Sequence, residues 1–216
     1  EGKERITDEE MKLIALWIDQ DGREETPLDS LNLTDEIKEV IRFRLSQNNK
    51  RLNPVFSREI SSASNQTIES LKNSGFTVLA VERGSPFLQI NYFNRNKPIN
   101  EEAIKALILV SDQLVWLDLS GSELENDNWS FLLKLFNLNR LNLSGTNIGN
   151  EVVMQLSEFE FLETLNLFGT KVDKRILESL YGTKNLKYLY LGNTEIRPVD
   201  TTAISKRGNA ALEVSF

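Results

Sequence analysis

Asp118, Asn142 and Asn166 follow one another at intervals of 24 residues, and the next step of the series is Tyr190. Two residues before each stand Trp116, Arg140, Thr164 and Tyr188, and two after come Ser120, Ser144, Phe168 and Gly192. Carboxylate, amide, guanidinium, phenol and indole groups recurring at one interval supply hydrogen bonds and stacking surfaces, the means of recognition. They are poorly suited to breaking bonds. A glycosidase needs two carboxyl groups flanking the scissile bond, and Asp118 is the sole acid among these positions. An enzyme reading would rest on Asp118 alone, so no catalytic residue is assigned.

Composition removes most other chemistry. The 216 residues contain no Cys and no His, so a Cys/His zinc site, a thiol nucleophile, a His-based triad and a c-type haem attachment are all excluded for this chain. No metal and no cofactor are expected. In "DQDG", residues 19–22, a calcium loop centred on Gly22 would put Leu28 where its last acidic ligand belongs, so a helix C-cap is the better reading. The acidic stretch "ELENDNW", residues 123–129, falls in a loop before a helix, where acids suit the N-terminus. A net charge of −7 and the lack of a Lys/Arg run argue against nucleic acid as a partner. No run of 18 apolar residues marks a membrane span in this chain. It opens on Glu1 rather than Met, which fits a processed protein or a piece of a longer one.

The elements that must position these groups share the same period. Leu114, Leu138, Leu162 and Leu186 are 24 apart, as are Leu117, Leu141, Leu165 and Leu189, and again Leu119, Leu143, Leu167 and Leu191. Ser122, Thr146, Thr170 and Thr194 keep the step, followed by Leu124, Ile148, Val172 and Ile196. The alternation within L-x-x-L-x-L predicts a short strand with one buried face. The second half of each unit, with Trp129, Val153 and Leu177 equivalent and Leu132, Leu156 and Leu180 equivalent, predicts a short return helix. Neither element buries its apolar side alone, but stacked copies do. The Ser/Thr positions are expected to be structural, satisfying backbone groups at each turn and forming a hydroxyl ladder. Upstream, Phe87, Ile90 and Tyr92 fit the strand leucines of a degenerate repeat, with Ile99, Ile104 and Leu107 in its later half. A helix ending near Gly75, a strand to Val81 and a turn at "ERGSP" predict a capping hairpin or a first half-repeat, while Leu212, Val214 and Phe216 alternate as a closing strand.

The pattern L-x-x-L-x-L-x-x-T-x-I over residues 87–216 resembles leucine-rich repeats of the Thr type. The resemblance implies an α/β solenoid with a parallel concave sheet and short convex helices. The third, fifth and seventh positions would then point away from the core and form rows. Trp116, Asp118, Arg140, Asn142, Thr164, Asn166, Phe168, Tyr188 and Tyr190 are the candidate ligand-binding residues on that concave face. The function expected is a non-catalytic module binding a protein or an extended ligand. A carbohydrate-binding module using the aromatics is the alternative, and other domains of the same polypeptide are a third candidate occupant.

Residues 1–50 differ in kind and form an N-terminal helical segment ahead of a repeat domain at 51–216. Thr7 and Glu10 make a capping box, and Met11, Ile14, Ala15 and Ile18 an apolar stripe. A second helix is expected from Thr34, with Ile37, Val40, Ile41 and Leu45 inward, and "NNKRLNP" as connector. The run from Ile6 to Met11, with Trp17 and Ile18 after it, resembles the C-terminal helix of cytochrome c-like domains. Some bacterial membrane-anchored proteins join such a domain to Thr-type repeats, and the order here resembles theirs. That resemblance implies a bacterial periplasmic or cell-envelope protein with a haem-bearing part elsewhere, since C-x-x-C-H is absent from this chain.

Overall fold

Alternation at the fourth and sixth places of each repeat does what it should in the computed structural model, which describes residues 53–94, 97–125, 128–181, 183, 185–202 and 212–216. The expectations for residues 1–50, including the cytochrome-like helix, lie outside the described residues. The chain is mixed α/β. Seven strands form one sheet in sequence order: β1 (Phe76–Ala80), β2 (Leu88–Tyr92), β3 (Leu114–Asp118), β4 (Arg140–Asn142), β5 (Thr164–Asn166), β6 (Tyr188–Tyr190) and β7 (Glu213–Ser215). β1 pairs antiparallel with β2, and every later pair is parallel. The hairpin predicted around "ERGSP" and the closing strand are therefore both present.

Parallel neighbours require a return connection, and each repeat supplies one. Glu101–Leu109 follows β2, the 3-10 helix Trp129–Lys134 follows β3, Asn150–Gln155 follows β4, Arg175–Tyr181 follows β5 and Pro198–Thr202 follows β6. Asn100 caps the first of these by accepting from the Ala103 N–H at 2.9 Å, and Asn128 caps the 3-10 helix through Ser130. No acid stands in the first turn of that 3-10 helix, and its cap is the side-chain amide of Asn128.

The leucines of all three columns are buried, as are the Leu/Ile/Val residues after the turn. Trp129, Val153 and Leu177 meet them from the helix side in one continuous core. Each leucine taken out of water is worth roughly 1.5–3 kcal/mol, and that burial holds the repeats in register.

One expectation is corrected and another is met. Phe87 does not open the first repeat: a bulge between Leu88 and Gln89 makes Leu88 pair with Leu114 and Gln89 with Trp116. Phe87 instead joins a second, smaller cluster with Val55 and Val115. The Ser/Thr hydroxyls each bond within their own repeat. Ser122, Thr146, Thr170 and Thr194 donate to the carbonyls of Leu119, Leu143, Leu167 and Leu191 at 2.6–2.7 Å. The residue before each of them has positive φ: Gly121, Gly145 and Gly169 at 63°, 67° and 68°, and Asn193 at 55°. Glycine adopts that region without strain, and Asn is among the few other residues that tolerate it.

Candidate functional site

Strand register brings the predicted rows together. Gln89, Trp116, Arg140, Thr164 and Tyr188 are successive partners across five strands, and so are Asn91, Asp118, Asn142, Asn166 and Tyr190. All lie on the sheet face opposite the leucines. An open depression of about 300 Å³ lies over the first half of this face, with Trp116, Asp118, Arg140, Asn142, Thr164 and Asn166 in its lining.

The two halves of the face differ. In the first, side chains are engaged with one another. The Arg140 guanidinium lies over the Trp116 ring, 4.4 Å from its centroid. The Trp116 indole donates to Asn139 Oδ1 at 3.2 Å, and Phe56 meets its ring edge-on at 6.5 Å. Asp118 accepts from the Ser120 N–H at 2.8 Å and, through its other oxygen, from Asn142 Nδ2 at 3.1 Å. Asn142 and Asn166 accept in the same way from the N–H groups of Ser144 and Phe168, at 3.1 and 3.0 Å. The acid–amide row is thus occupied locally, because each side chain satisfies the backbone donor two residues on, where the strand ends.

In the second half the large side chains face water. Phe168 is 51% exposed, Tyr188 42% and Tyr190 38%, with Phe216 beside them at 48%. Phe168 occupies its place because position 192 is Gly. A Cβ there would stand 2.7 Å from the Phe168 ring and 2.9 Å from the Phe216 carbonyl carbon.

Periodicity could not reveal the segment at the strand-entry rim. Asn53 donates to the Phe161 carbonyl at 2.7 Å, Arg58 donates to Asn137 and lies 5.8 Å from the Phe161 ring centroid, and Gln113 donates to the Ser61 carbonyl at 2.7 Å. Residues 53–61 thereby strap three successive repeats, with Gln113, Asn137 and Phe161 at the 24-residue step. The 3-10 turn Pro54–Ser57 in this strap delivers Phe56 to Trp116. The only signal in the sequence was that step itself, which places polar Gln113 and Asn137 next to a leucine.

Among the described residues no group of three or more acidic side chains is arranged to hold a metal, and no helix is long and apolar enough to cross a membrane.

No protein-family model matches the chain, and no curated protein matches it. Among solved structures it is similar to a Leptospira interrogans LRR protein, at 26% identity and a TM-score of 0.38. The match covers 50% of this chain and 27% of that one, so the chain spans about a quarter of its neighbour's length. The architecture rests on the strand register and not on this likeness.

Proposed function

We propose that residues 53–216 are a leucine-rich-repeat solenoid serving as a non-catalytic recognition module, which binds a protein segment across the sheet face opposite its helices. One observation carries the reading: Tyr188 and Tyr190 on β6 and Phe168 just past the end of the adjoining β5 are exposed together, with Phe216 beside them. Aromatic side chains in a cluster are what binding hot spots favour, and a soluble chain seldom leaves such a patch without a use. The preformed Trp116–Arg140 stack and the Asp118–Asn142 bond supply a polar half beside the apolar one. A protein fits better than a glycan because the oxygens of Asp118, Asn142 and Asn166 already accept backbone N–H groups, which leaves less for sugar hydroxyls. The extracytoplasmic location and haem-bearing neighbour belong to the same proposal and rest on the cytochrome-like run from Ile6 to Ile18. A Soret band in the gene product purified from its own cells supports them, and its absence removes them.

The binding reading is tested by affinity capture on the immobilised chain, followed by equilibrium titration with the captured protein. Tyr188→Ala combined with Tyr190→Ala should weaken binding at least tenfold, and Met154→Ala on the helix side should not. Equal affinity for all three chains would remove the open face from the interaction.

A further inference from the structure

This inference deepens the recognition reading by naming what the polar half of the face takes. Three of the described arginines are engaged by a polar or acidic side chain. Arg175 pairs with Asp173 and Arg197 with Asp200, while Arg58 donates to Asn137. Arg140 is different. Among the described residues its guanidinium lies over the Trp116 ring, 4.4 Å from the ring centroid, with no carboxylate in salt-bridge range. A guanidinium carries five N–H donors in a planar fork, and those directed away from the ring can meet a carboxylate through two parallel bonds.

Its direction is set before any ligand arrives. Trp116 is held by the bond to Asn139 and by the Phe56 ring, and Phe56 is held by the strap that Asn53 and Arg58 anchor. Asp118, the acid in the same depression, lies in the next row, about two residues (~6.6 Å) along the strand. Both of its oxygens accept hydrogen bonds, which offsets its repulsion of an incoming anion. Thr164 alone separates Arg140 from Tyr188 along its row. Two strand spacings are about 9.6 Å, close to one turn of a polyproline II segment, three residues at about 3.1 Å each.

We propose that Arg140 is a carboxylate-reading subsite, with Trp116 and Phe56 as its positioning residues. The partner it fits is a protein segment in the polyproline II conformation, whose three residues per turn put an acidic side chain and an apolar one three residues away on the same side, the acid on Arg140 and the apolar group on Tyr188. Charge complementarity selects this occupant: Arg140 is the one cation in the two facing rows, and its charge is unpaired. A nucleic-acid phosphate is a poorer match for a chain of net charge −7.

The experiment probes the full chain against an array of hexapeptides synthesised in pairs that differ only by Glu or Gln at one position. Glu members should bind on the order of tenfold more strongly than their Gln partners, a difference of about 1.4 kcal/mol. The preference should vanish in Arg140→Gln, shrink in Phe56→Ala and return in Phe56→Tyr. In parallel, the indole N–H resonance of Trp116, assigned by its loss in Trp116→Phe, should shift in Phe56→Ala and return toward its place in Phe56→Tyr. Binding without a Glu preference overturns the subsite and leaves the recognition reading standing. Retention of no peptide at all overturns the subsite, and the recognition reading then depends on the Tyr188 and Tyr190 titration. An unmoved indole resonance overturns the positioning role of Phe56.

Discussion

Replacing Gly145 with alanine separates backbone strain from steric crowding at the turns that end each strand. A Cβ at Gly145 would find its nearest neighbour, the Gly121 Cα, at 3.8 Å, an ordinary contact. Crowding therefore contributes nothing, and the cost comes from φ of 67°. Holding an L-residue there costs roughly 1–2 kcal/mol, and the narrower unfolded ensemble of alanine offsets about 0.4–1 kcal/mol. Gly145→Ala should thus lose about 1 kcal/mol, equivalent to roughly 2–4 °C in Tm for a chain of this size. Gly145→Asn should lose less, because Asn193 holds the equivalent place at φ 55° in the natural sequence. Urea denaturation followed by far-UV circular dichroism reads the difference as a lower midpoint with unchanged slope. The bond from the Gly145 N–H to the Phe168 carbonyl, 2.7 Å, is kept in both variants and cannot account for the ranking. If Gly145→Ala were neutral or stabilising, or Gly145→Asn the worse of the two, the left-handed turn would not be the reason for glycine here.

Thr146→Val keeps the shape and removes the donor to the Leu143 carbonyl, so it should cost about 1–2 kcal/mol in the same denaturation assay. Leu141→Ala empties the middle of the core and should cost about 2–5 kcal/mol. Gly192→Ala should displace the Phe168 ring and the Phe216 backbone, read as changed ring environments for both in the aromatic NMR spectrum with little change in the earlier repeats. The side-chain bond from Arg175 holds the Asp173 carboxyl well below the usual carboxylate range, so Asp173 favours folding above about pH 4. That contribution is lost as pH falls toward its folded value, so Asp173→Asn should flatten the acid limb of a stability–pH profile.

The repeated half was legible because one period controls several independent columns. Leu138, Leu141, Leu143 and Thr146 each recur at the same step, and a misplaced register would break all of them together. The rows of the open face followed from that register without further information. What they do was less legible. Asp118, Asn142 and Asn166 read as candidate ligand-binding residues in the sequence, and the structure adds that each accepts the N–H two residues on, a role open to any short polar side chain at a strand end. The glycines at 121, 145 and 169 shared the period openly, but their meaning depends on the sign of φ. Phe87 was misplaced because a one-residue bulge shifts the strand and leaves no mark in composition. The strap left little mark in the sequence, because Asn53, Phe56 and Arg58 have no periodic counterparts and reach the repeats through contacts with residues 60 to 108 positions away.

The central claim is that the sheet face opposite the helices meets a partner. Site-specific photo-cross-linking tests it most directly, with p-benzoylphenylalanine in place of Tyr188 in one chain and of Met154, exposed on the helix side, in another. Irradiation of cells producing each chain should give a discrete adduct from position 188 that disappears when the unlabelled chain is in excess, and none from position 154. Adducts from 154 alone, or equally from both, would contradict the account.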